Sequence, residues 1–297
     1  MTNIEHLVIA GGGHHGLSMY GVLRESNKSG FWKIENIKTI YCTSIGTINA
    51  VSIALHYPWD DLDDFLLKRP WQNVFKVDIN TLLNTYDNKG IFDKKIIKES
   101  LGPLLMGKGL EIDTTLFEFY EKTQIEIHFI ITELNNFELI DVSYKTHPEW
   151  KLIDTVFFSA CLPILFSPEL VENKCYIDGG ILTNYPLKIC IDSIGHENTD
   201  SIFGINLKPI QRITSITSES TMYDYIFILL NKIFSKASNN NNNKYKIKNE
   251  IIIHGVSSTS VFDIVDGFTS YERRKLLIDS GVELWEKQKD LLCSGND

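Results

Sequence analysis

Short apolar runs alternate along the chain with segments whose apolar residues recur every three to four positions. The runs at 4–10, 37–42, 126–132, 137–144, 174–177, 201–207 and 251–254 have the length and the turn-rich borders of strands. The periodic segments at 17–26, 47–56, 93–101, 115–122, 152–160, 186–194, 220–234 and 271–291 predict helices. Strands that take turns with helices build a mainly parallel sheet flanked by helices, so the expected fold is α/β with three layers. No linker divides the chain, and residues 1–297 are expected to form one domain. Its motifs fall within 4–208, and a mainly helical part follows at 209–297.

Two stretches depart from this alternation. Residues 57–76 are dense in aromatics and acids, and 238–244 is an asparagine tract. The tract has neither charge nor apolar anchors to offset its ordering entropy, and is expected to be a disordered surface loop. The acids Asp60, Asp61, Asp63 and Asp64 suit a solvated helix start, because carboxylates favour the first turn of a helix. Trp59, Phe65, Trp71 and Phe75, and at helical spacing Tyr223, Phe227, Leu230 and Phe234, are the candidate apolar surfaces. Such a stripe ordinarily belongs to the core; a lid or a membrane-contacting edge is the other reading.

Charge and cysteine usage narrow the function classes. With 29 Lys+Arg against 38 Asp+Glu the formal net charge is -9, which removes the nonspecific phosphate attraction that nucleic-acid binding relies on. Cys42, Cys161, Cys175, Cys190 and Cys293 form no CxxC pair and no metal-ligand spacing, so reduced thiols and a cytoplasmic location are expected. The first apolar run meets glycines at once, unlike a secretion signal, and no run approaches the ~18 apolar residues that span a bilayer. A soluble protein with peripheral membrane contact fits these features.

The glycine-rich turn after the first strand, in "HLVIAGGGHHGLSM", admits three chemistries. Gly11, Gly13 and Gly16 match the GxGxxG dinucleotide fingerprint. That reading wants an acid at the end of the second strand, where "IYCTSIG" has none; Glu35 precedes the strand. A P-loop wants lysine where Leu17 stands. An oxyanion hole wants a nucleophile nearby, and Ser44 sits in the turn from the second strand into its helix, between Cys42 and Gly46. The same position also suits a plain N-cap serine.

A serine nucleophile needs a base. His14 and His15 lie inside the glycine loop, His128 lies within an apolar strand, and His56, His147, His196 and His254 lie near element ends without an acid expected to orient them. The remaining candidate is Asp178 in "YIDGGILTNYPL", where Gly179 and Gly180 leave its carboxylate uncrowded. An ordinary Asp-Gly hairpin turn is the alternative.

Taken in order, "GGGHHG", "CTSIG", "TELN", "SACLPILFSPEL" and "DGG" resemble the patatin-like phospholipases, a family of lipid acyl hydrolases. The resemblance implies a Ser44 nucleophile with Asp178 as base. It implies an oxyanion hole at Gly11, Gly12 and Gly13, with the amides of Gly12 and Gly13 as donors and Gly11 shaping the loop. It further implies a phospholipid or other acyl-lipid substrate, transient contact with a membrane surface, and no metal or organic cofactor. Cys42 stands where the family usually has glycine, and His15 where it usually has Arg or Lys; Cys42 is expected to be tolerated. His15 is expected either to brace the loop and titrate near ~6.5 or to face solvent idly. A non-catalytic lipid-binding protein is the alternative outcome.

Overall fold

The computed structural model describes residues 3–77, 79–210, 216–222, 224–230, 232–233, 245–256 and 260–294. The asparagine tract, Tyr223 and Phe234 lie outside the described residues. The strands are β1 (His6–Ile9), β2 (Thr39–Thr43), β3 (Gly90–Phe92), β4 (Glu126–Glu133), β5 (Glu138–Val142), β6 (Ile164–Phe166), β7 (Leu170–Val171), β8 (Lys174–Asp178), β9 (Ile202–Ile210) and β10 (Glu250–Val256). An eight-stranded sheet runs β10-β9-β1-β2-β4-β8-β7, with β5 also paired to β4, and β3 pairs with β6 apart from it. From β10 to β4 every pairing is parallel, whereas β5, β8 and β7 join antiparallel.

Parallel strands buried on both faces read as unbroken apolar runs, which is how "HLVI" and "TIYCT" look. The helix α1 (Gly16–Lys28) follows β1, and α2 (Ile45–Ala54) follows β2. The chain continues with α3 (Trp59–Lys68), α4 (Ile79–Asn88), α5 (Lys95–Gly107), α6 (Leu116–Thr123), α7 (Leu152–Ala160) and α8 (Leu187–Ile194). Two more helices close it, Val261–Thr269 and Tyr271–Ser294. The last one lies along α1 so closely that a methyl group on Gly281 would meet the Ser18 carbonyl at 2.0 Å. Its Trp285 is fully buried against Phe31 and Phe203.

The acidic run does open a helix: Asp60 and Asp61 occupy the first turn of α3. Asp63 is not merely solvated, since its carboxylate accepts from Tyr20 Oη at 2.7 Å and Arg24 Nη1 at 2.6 Å. Phe227 is core, as the helical stripe suggested. No helix among the described residues is long and apolar enough to cross a membrane.

Candidate active site

β4 explains why two distant sequence motifs meet. The same edge of β4 receives β2 running parallel and β8 running the opposite way. Thr43 is opposite Ile130 and Asp178 is opposite Ile131, so the two strands end against each other. Ser44 is the next residue after β2 and Asp178 the last of β8. Ser44 Oγ donates to Asp178 Oδ2 at 2.6 Å. A methyl group on Gly179 would lie 2.1 Å from the Ile130 carbonyl oxygen, so only glycine lets the chain leave β8 this close to β4.

Ser44 adopts φ 55° and ψ -127°, a strained backbone for a side chain with a Cβ. It occupies the N-cap position of α2, yet its side chain makes no capping bond. The hydroxyl is turned to Asp178 instead, which sets the N-cap reading aside. Its amide donates to Ser159 Oγ at 3.1 Å, and Ser159 Oγ donates to the Ile130 carbonyl at 2.6 Å. A Cβ on Gly46 would approach the Ile9 and Ala10 carbonyls to 2.7 and 2.8 Å, so α2 starts packed onto β1. The Cys42 thiol donates to the His128 carbonyl at 3.4 Å, and burial pushes its pKa well up. Cys42 therefore sits as an inert core thiol.

Asp178 is 4% exposed. Its Oδ1 accepts from the Gly180 amide at 2.7 Å, and a short 3-10 turn, Gly179–Ile181, follows in place of a hairpin. Burial raises its pKa to about 6 against the opposing pull of the Ser44 and Gly180 hydrogen bonds. Its amide donates to the Cys161 carbonyl at 2.9 Å. The "SACLP" segment thus holds Ser44 through Ser159 and Asp178 through Cys161.

The glycine loop lies beside this pair. A Cβ on Gly11 would stand 3.0 Å from Ser44 Cβ. The Gly11 amide is already committed to the Asn184 carbonyl at 3.0 Å, so Gly11 shapes the loop and is not a free donor. Among the described residues the amides of Gly12 and Gly13 have no partner. Gly13 has φ +54°, a conformation suited to glycine, and it shares a cavity wall with Ser44. Gly16 lets α1 start against Ile45, with a Cβ position 2.3 Å from Ile45 Cγ1. Two helix N-termini, those of α1 and α2, therefore flank the serine with their positive ends.

His15 does not face solvent idly. It is half-buried, its ring lies tilted against that of His14 with centroids 4.4 Å apart, and its Nε2 donates to the Val256 carbonyl at 3.1 Å. Burial lowers its pKa, against a smaller upward effect of the Val256 bond. A neutral ring with the proton on Nε2 ties the loop to the end of β10. His128, read only as lying within an apolar strand, bonds Asp141 at 2.8 Å and pairs with Glu126 at 3.4 Å. Asp141 lies on the neighbouring strand β5 and Glu126 two residues before His128 on β4, so both acids share its face of the sheet. No histidine bonds Ser44 or Asp178 among the described residues.

The cavity at Ser44 measures about 120 Å3 and its wall is almost wholly apolar. Trp71, Phe75, Phe92, Leu165, Ile264 and Phe268 line it. Trp71 and Phe75 therefore serve as the aromatic segment suggested, while Trp59 packs elsewhere, on Tyr20 and Trp32. The helix Val261–Thr269, which supplies Ile264 and Phe268, was not read from the sequence. Nor was Arg274, a buried cation at the wall that donates to the carbonyls of Leu66, Leu67, Phe268 and Thr269 at 2.8 to 2.9 Å. No group of three or more metal-ligating side chains is arranged to hold an ion among the described residues.

The family description for patatin-like phospholipases matches residues 7–191, from β1 into α8. A protein of Invertebrate iridescent virus 6 that bears the name probable lipid hydrolase is 29% identical over 191 residues, 62% of this chain and 62% of its own. The match thus spans less than two thirds of that relative. An uncharacterised protein of Acanthamoeba polyphaga mimivirus is 24% identical over 229 residues, 77% of this chain and 75% of its own. VipD from Legionella pneumophila is similar in fold, with a TM-score of 0.52 at 18% identity, covering 94% of this chain and 67% of that one.

Proposed function

The chain belongs to the patatin-like phospholipase family, and on that premise we propose that it hydrolyses fatty-acyl esters of lipids through a Ser44 acyl-enzyme with Asp178 as general base. The observation that carries this reading is the 2.6 Å bond to a buried carboxylate from the Oγ of Ser44, which lines an apolar cavity. Asp178 takes the Ser44 proton as Oγ attacks the ester carbonyl. The oxyanion forms at the amides of Gly12 and Gly13, each donor being worth about 3 kcal/mol. The alcohol leaves with the proton from Asp178. Water then gives its proton to Asp178 and attacks the acyl carbon, and the fatty acid departs as Ser44 recovers its hydrogen.

A solvated carboxylate is too weak a base for an alcohol. The burial that raises Asp178 to about 6 improves its basicity, and the apolar wall keeps water from competing. The dyad calls on no metal or organic cofactor. Cys42 and His15, where the chain departs from the family pattern, leave the Ser44–Asp178 bond intact, which supports catalysis over lipid binding alone.

Lipid access follows from the same end of the sheet. Phe262 is 58% exposed and sits one helical turn before the cavity-lining Val265, while Val256 and Ile210 are exposed register partners at the ends of β10 and β9. These side chains form the edge proposed to meet a membrane. The functional test uses a chromogenic short-chain ester and phosphatidylcholine vesicles. Hydrolysis by the wild type and its loss in Ser44→Ala and Asp178→Asn are expected. Undiminished turnover by Ser44→Ala would overturn the assignment, and an inactive wild type on both substrates would favour lipid binding.

A further inference from the structure

We propose that Asn184 is a positioning residue that fixes the glycine loop against the Ser44–Asp178 pair. The inference rests on the dyad reading and adds a residue outside it. Asn184 lies in the "DGGILTNYP" segment, six residues after Asp178. Its carbonyl accepts from the Gly11 amide at 3.0 Å, and its Nδ2 donates to the Gly11 carbonyl at 3.1 Å. One residue therefore grips both backbone groups of Gly11, immediately before the amides of Gly12 and Gly13. The preceding Thr183 gives its carbonyl to Thr43 Oγ1 at 3.1 Å, next to the nucleophile. The same short segment thus holds the strand that ends in Ser44 and the loop that faces it.

The side-chain oxygen comes nearer still. A Cβ position on Gly11 lies 2.5 Å from Asn184 Oδ1 and 3.0 Å from Ser44 Cβ, which keeps those two atoms within about 5.5 Å. A Cβ position on Gly180 lies 2.9 Å from Asn184 Oδ1 and 3.0 Å from Asp178 Oδ1, a separation of at most about 6 Å. Asn184 is wedged between the loop and the turn that holds the base. Its neutral amide supplies a donor to Gly11 there without adding charge. An aspartate would keep the shape, lose the Nδ2 donor, and bring a second carboxylate close to Asp178. Like charges at that range raise a carboxyl pKa.

The test compares Asn184→Ala and Asn184→Asp with wild type and Ser44→Ala on a soluble chromogenic ester, with kcat expressed per active site titrated by an organophosphate. Both Asn184 variants are expected to lose roughly 10- to 100-fold in kcat with KM changed by less than about twofold, the pattern of a misplaced transition-state donor. Asn184→Asp is further expected to move the acid limb of the pH profile upward by about one unit, while Asn184→Ala leaves the limb in place. An ordinary loop-closing asparagine would lower the melting temperature without either effect. Wild-type kcat per titrated site in both variants, with Ser44→Ala inactive, would overturn the role of Asn184 alone. Full turnover by Ser44→Ala would overturn the dyad and this inference with it.

Discussion

Asp178 sets the terms at the scale of single residues, because a carboxylate raised by burial to about 6 is a better base and a cost to the fold. Its folded pKa lies above its ordinary value of 3.8, so the unfolded chain releases this proton at lower pH. Stability contributed by Asp178 therefore falls as pH rises from about 4 to 6, and the buried charge remains a burden above that. Asp178→Asn keeps both hydrogen-bond positions, an oxygen for Gly180 and an amide for Ser44. It is expected to raise the melting temperature by about 2–6 °C near pH 7, read by calorimetry. Activity is expected to fall by about 10^3-fold or more. Wild-type kcat/KM should drop below an apparent pKa near 6, and His15→Gln, which retains a donor for Val256, should leave that limb unmoved. A limb that vanished with His15 would assign the titration to the loop. Ser44, Asp178 and the glycines were legible in the sequence because each sits in a short motif with a physical requirement for small neighbours. Ser159, Asn184 and Arg274 were not, since one polar residue carries no periodicity, and its partners here lie 29 residues or more away for Ser159 and 173 for Asn184.

Elements place these residues through the close pairing of β2, β4 and β8. Gly179→Ala would force the end of β8 from Ile130 and is expected to reduce kcat at least ~100-fold, with a loss of about 1–3 kcal/mol in urea unfolding. An active, stable variant would show that β4 does not set the dyad. On the same strand, burial pulls the His128 pKa down, but Asp141 and Glu126 outweigh it and hold the imidazolium to about 9. The stabilisation is complete below pH 6.5 and is lost as pH rises toward 9, so the melting temperature should decline over that window and His128→Gln should flatten the decline. The longer strands and most helices were readable from apolar runs and helical spacing, but Ile79–Asn88 and Val261–Thr269 were not. The strands β3, β6 and β7, of two or three residues each, are too short to show alternation. The antiparallel return of β8 could not be read either, because register depends on contacts distant in sequence, among them the Glu133 carboxylate that accepts from the Asn135, Asn136 and Cys175 amides.

Over the whole molecule, the parallel strands bring the glycine loop and Ser44 to their C-terminal ends, where open α/β sheets present ligands. Exposed Val256 and Ile210 end β10 and β9 there, and Phe262 is exposed on the helix that follows β10. With a net charge of -9, the proposed contact with lipid rests on apolar insertion and not on attraction to anionic headgroups. Phe262→Asp is expected to lower hydrolysis of phosphatidylcholine vesicles at least about fivefold while a soluble ester is turned over normally; equal rates on vesicles would exclude this edge. The measurement that goes most directly to the centre of the account is covalent labelling by a fluorophosphonate, mapped by peptide mass spectrometry. A single adduct on Ser44, absent from Ser44→Ala and slowed in Asp178→Asn, is the expected result. A labelled residue other than Ser44, in a protein that hydrolyses lipid, would contradict it.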